Sequence, residues 1–68
     1  MNAASLKELL EQCPFEPFEI HMSNGEIYQV RYPQNAVVLK TRLVIADPEQ
    51  DKIAILGFSH IASLHTPQ

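Results

Sequence analysis

Three histidines, one cysteine and a run of alternating acids are the residues of this chain best suited to chemistry. His21, His60 and His65 hold a metal only if the fold makes them converge and a carboxylate or thiol completes the set. None of the tightly paired Cys/His spacings of a zinc site is present. The expectation is therefore surface histidines, solvated or hydrogen-bonded. A pH-responsive interface is the functional alternative, because imidazole titrates near neutrality. Asp47, Glu49 and Asp51 alternate as calcium ligands do. Pro48 intervenes, however, and the glycine and distal glutamate of a calcium loop are missing, so the stretch reads as a polar turn. Cys13 is a nucleophile only beside a base in an electropositive setting. It stands in phase with the leucines before it and reads as a core residue.

Arg31, Tyr32, Lys40 and Arg42 form the other candidate group. Cations beside an aromatic ring stack a nucleobase or hold a phosphate. The charge balance opposes this, with eight acids against five bases and a net charge of −3. Such a chain is disfavoured on nucleic acid, where lysines and arginines neutralise phosphates, and on anionic membranes. With only Gly25 and Gly57 there is no glycine-rich phosphate loop, and no nucleophile elbow is present. No enzyme, cofactor or metal is expected. Neither a signal peptide nor an apolar run of membrane-spanning length is recognisable, which leads to the expectation of a soluble cytoplasmic protein.

The elements that would position these residues follow from periodicity. Ser5-Leu6-Lys7-Glu8 fits a helix capping box, with Asn2 a rival cap one turn earlier. Leu6, Leu9, Leu10 and Cys13 then form one apolar helical stripe, and Pro14 stops the helix near Gln12. Phe18, Ile20 and Met22 alternate with polar residues, as in a half-buried strand. A two-residue loop at Asn24-Gly25 would put Gln29 and Arg31 on the apolar face. A three-residue loop over Ser23-Asn24-Gly25 instead pairs Phe18 with Val30 and Ile20 with Tyr28. Burial favours the second register, with Gly25 in the left-handed region.

Tyr32-Pro33-Gln34-Asn35 breaks this strand. Residues 36–39 and 41–45 read as one bent strand or two short ones, 47–51 as a loop, 52–56 as a strand, 57–60 as a turn or one helical turn and 61–65 as a last strand. The expected fold is α+β and mainly β, a single domain over residues 1–68. An N-terminal helix packs on a curled five-stranded antiparallel sheet, a small half-open barrel.

The residues Leu6, Leu9 and Leu10, Pro14-Phe15-Glu16-Pro17-Phe18, Asn24-Gly25, Tyr28-Gln29-Val30-Arg31-Tyr32-Pro33 and Ser59-His60-Ile61 resemble the pattern of a family of short bacterial proteins with no assigned activity. The likeness covers nearly the whole chain and implies no function. In its order of elements the chain also resembles the Sm-like fold. It lacks that fold's Asp and Asn after the third strand and the basic glycine-containing turn before the fifth, so the likeness is architectural.

A chain of 68 residues buries only roughly 60% of its unfolded surface and ordinarily needs support. One cysteine excludes an intrachain disulfide, which leaves oligomerisation. Val37, Leu39, Leu43 and Ile45 cannot all be internal beside Val38 and Val44, unless a bend at Lys40-Thr41 resets the alternation. Ile27 also falls on an outer face. The first expectation is a non-enzymatic interaction module binding itself or another protein through Ile27, Val37, Leu39 and Leu43. The second is a weak anion- or nucleic-acid-binding small barrel using Arg31, Tyr32, Lys40 and Arg42.

Overall fold

The computed structural model describes residues 2–66. Helix α1 (Ala3–Glu11) begins at Asn2, whose Oδ1 accepts the backbone N–H of Ser5 at 2.9 Å. Asn2, and not Ser5, is the cap. Ala3 and Ala4 are strong helix formers that carry the helix one turn further back, and Ala3 packs against the core. The helix ends where Gln12 turns extended, just before Cys13-Pro14. Cys13 is consequently exposed, because the apolar stripe loses its phase once the chain leaves the helix at Gln12.

Strands β1 (Phe18–Met22) and β2 (Ile27–Val30) pair antiparallel with Phe18 opposite Val30 and Ile20 opposite Tyr28. The three-residue loop is therefore the correct one. Met22 donates its N–H to the Glu26 carbonyl at 2.8 Å, and Gly25 adopts a φ of 91°. Asn24 Oδ1 accepts the Glu26 N–H at 3.0 Å, which fixes the turn from within.

Pro33–Asn35 form a 3-10 turn, followed by β3 (Ala36–Val38), β4 (Arg42–Asp47) and β5 (Lys52–Gly57). The doubtful stretch after Asn35 is thus two strands, closed by Leu39 N–H donating to the Arg42 carbonyl at 2.8 Å. A second 3-10 turn, Phe58–His60, leads to β6 (Ile61–His65).

The sheet arrangement corrects the expected one. Among the described residues the strands do not pair as one continuous sheet of five. Six strands form two three-stranded antiparallel sheets, ordered β2-β1-β6 and β3-β4-β5. The two 3-10 turns account for the division. Proline at the start of the first turn fixes φ and removes a ladder donor, so β2 cannot run on into β3. The second turn, Phe58–His60, holds no proline and separates β5 from β6.

The inner faces and α1 enclose one core of Leu6, Phe18, Ile20, Val30, Leu43, Ile45, Leu56 and Phe58. Phe15 adds a tilted ring 6.2 Å from that of Phe18. No described helix is long and apolar enough to cross a membrane.

Candidate interaction surface

Residues directly opposite in an antiparallel pair point to the same face, so the registers define the outer surface of each sheet. On the first sheet that surface is polar apart from the exposed Ile27. Glu19 lies opposite Gln29 and His65, and His21 opposite Ile27 and Ser63. The His21 and His65 rings stack with centroids 4.0 Å apart. His21 Nε2 meets Glu19 Oε1 at 3.1 Å, and His65 Nε2 meets Ser63 Oγ at 2.8 Å. The hydrogen bond to His21, followed by that from Gln29, holds the Glu19 carboxyl below its ordinary range. Two of the three histidines therefore do come together, while His60 stays on the second 3-10 turn. Among the described residues, no group of three or more His, Cys, Asp or Glu side chains is placed to hold a metal.

On the second sheet both surfaces are apolar. The inner row joins Val38, Leu43 and Leu56. The outer row joins Val37, Val44 and Ile55, with Ala46 opposite Ile53 beside it. Ile53 is 69% exposed, Ile55 61% and Val37 55%. Nothing in the described chain covers this face, since α1 lends its buried Leu6 to the core side.

Of the residues singled out for an interaction surface, Ile27, Val37 and Leu39 are exposed. Leu43 is not. It is fully buried between Val38 and Leu56, because the hairpin register turns it inward and Val44 outward. Sequence reasoning missed Ile53 and Ile55, the two most exposed large aliphatic side chains. Their signal is the unbroken apolar run Ile53-Ala54-Ile55-Leu56, which lacks the polar alternation of a one-sided strand.

The proposed cationic patch is divided. Arg31 and Tyr32 lie together at the end of β2, and each lines two open grooves of about 990 and 450 Å3. Lys40 and Arg42 line neither, being at the far end of β3 from Tyr32. The smaller groove also contains Glu19, an anion beside the guanidinium. Both grooves are open surface features. Arg31 itself donates from Nε to Gln29 Oε1 at 3.3 Å.

Compared with known proteins, the chain matches no family model, no curated protein and no solved structure.

Proposed function

We propose that this chain is a non-enzymatic interaction module that associates with further copies of itself through the outer face of its second sheet. One observation carries the reading: the two sheets of the same small domain are patterned differently. The first alternates apolar inside with Glu19, His21, Gln29, Ser63 and His65 outside, Ile27 being the one exposed aliphatic residue among them, as a sheet with one mainly wet face does. The second has aliphatic rows on both faces, the pattern of strands covered on both sides. One nine-residue helix cannot cover both faces of a sheet, so the missing cover comes from outside the chain.

We read the two sheets as halves of one curled arrangement in which β2 and β3 are a single strand broken at Pro33. That reading leaves the open side of a half-barrel at β5. An anion- or nucleic-acid-binding role has less support, since the four residues it needs are split and Glu19 shares their groove.

The test is native mass spectrometry of the untagged protein over a concentration series. A discrete oligomer that grows with concentration supports self-association. A monomer up to hundreds of micromolar overturns it.

A further inference from the structure

The second sheet ends at β5, and no described strand pairs with its far side. An edge strand presents unpaired N–H and C=O groups, which proteins usually guard by brevity, proline, a bulge or charge. The other edges are guarded in these ways. β3 has three residues and follows the turn that begins with Pro33. β2 has four and runs into Arg31. β6 meets β1 through a register shift at His21/Met22. β5 has six residues in unbroken register with β4, no proline, and only Lys52 charged, at its first position. Ile53, Ala54 and Ile55 border the open groove of about 990 Å3, which Ile27, Tyr28 and Gln29 of β2 also line.

Resting on the self-association reading above, we propose that β5 of a second copy lies along this edge. The two strands pair antiparallel about a two-fold axis with Ala54 opposite the partner's Ala54. A two-fold dimer that keeps both outer faces on one side must pair some residue with itself. The central choices are Ala54 and Ile55. Centring on Ile55 sets Ile53 against the partner's Gly57, which has no side chain to pack. Centring on Ala54 sets Ile53 against the partner's Ile55 and Ile55 against the partner's Ile53. Four isoleucines then close over the joint and continue the row of Val37 and Val44.

The chain exposes 4853 Å2. A dimer at the small end of stable interfaces buries roughly 600 Å2 per copy, about one eighth of that surface. An edge of about 20 Å is a short interface, so the dimer should dissociate on dilution.

The experiment is disulfide trapping in the full chain with the exposed Cys13 replaced by serine. Strand residues directly opposite lie about 4.5–5.5 Å apart at Cα, inside the span of a disulfide. The variant carrying both Ile53→Cys and Ile55→Cys should form a covalent dimer on mild oxidation. It should do so at least tenfold faster than either single variant. Ile55→Cys alone trapping as fast as the double variant would overturn the Ala54 register. An oligomer by mass that traps at neither position would overturn edge pairing and leave self-association through the outer face standing. A wild-type monomer at every concentration would overturn both.

Discussion

Leu43 and Ile55 lie on adjacent strands of one sheet, and truncating each should have opposite consequences. Leu43 is fully buried with Val38 on one side and Leu56 on the other. Leu43→Ala removes buried methyl groups and leaves a cavity in a core of eight buried side chains, at a cost of about 3 kcal/mol. A domain of 68 residues holds roughly 3–10 kcal/mol in total. The variant therefore loses a large share of its stability. With a urea dependence of about 1 kcal/mol per molar, the midpoint should fall by about 2–3 M. Ile55 is 61% exposed, and Ile55→Thr keeps a β-branched side chain, so the isolated monomer should change by no more than about 0.5 kcal/mol. Urea melts followed by far-ultraviolet circular dichroism at low protein concentration measure both, and mass at high concentration reads the dimer. Leu43→Ala should lower the urea midpoint, and Ile55→Thr should weaken the oligomer alone. If Leu43→Ala keeps its midpoint while the oligomer dissociates, the assignment of inner and outer rows is wrong.

Asn2→Ala should destabilise by about 1 kcal/mol through the lost cap, whereas Ser5→Ala, inside the first turn, should be neutral or slightly stabilising. Urea midpoints of the two variants decide it, and the reverse order would restore Ser5 as the cap. Glu26 provides a pH prediction. The Asn24 amide, then the Tyr28 hydroxyl, hold its carboxyl below its ordinary value of 4.5. A carboxyl lowered on folding contributes stability that is complete above its unfolded pKa and is lost as pH falls through its folded one. The urea midpoint of Glu26→Gln should therefore fall less steeply than wild type below pH 4.5, and parallel curves would refute the link. At the alkaline end the sign reverses. The hydrogen bond to Glu26 raises the Tyr28 pKa above 10.0, so its contribution is complete below that value and lost as pH rises through the folded one. Tyr28→Phe should flatten that limb.

Much of the first sheet is legible in the sequence because its code is local. Alternation in β1, turn chemistry at Asn24-Gly25 and the penalty for burying Gln29 and Arg31 together select one register. The helix stop at Pro14 is local in the same sense. The misreadings have a common physical origin, since each depends on a tertiary choice between locally equivalent options. Ser5 and Asn2 are both competent caps, and packing of Ala3 selects the earlier start. Cys13 continues the stripe on paper, but the helix has ended before it. Leu43 and Val44 are both apolar and adjacent, so only pairing with β3 and β5 decides which points inward. The stacking of His21 on His65 spans 44 positions and follows from β6 returning beside β1.

The candidate surface was half legible for a related reason. Excess apolar residues between 36 and 45 already imply more aliphatic surface than one core can absorb. The same excess in β5 escapes notice because four apolar residues in a row also suit a fully buried strand. In a larger α/β protein, helices on both faces would satisfy that pattern. Here the only α-helix among the described residues supplies Leu6 to the core. The outer row of Val37, Val44 and Ile55 therefore keeps the sequence of an interior strand while standing at the surface. A lysine or glutamate at 53 or 55 would remove the exposed apolar surface without disturbing the inner row. That neither position carries one makes the outer face of the second sheet, and not its polar counterpart on the first, the place to look for a partner.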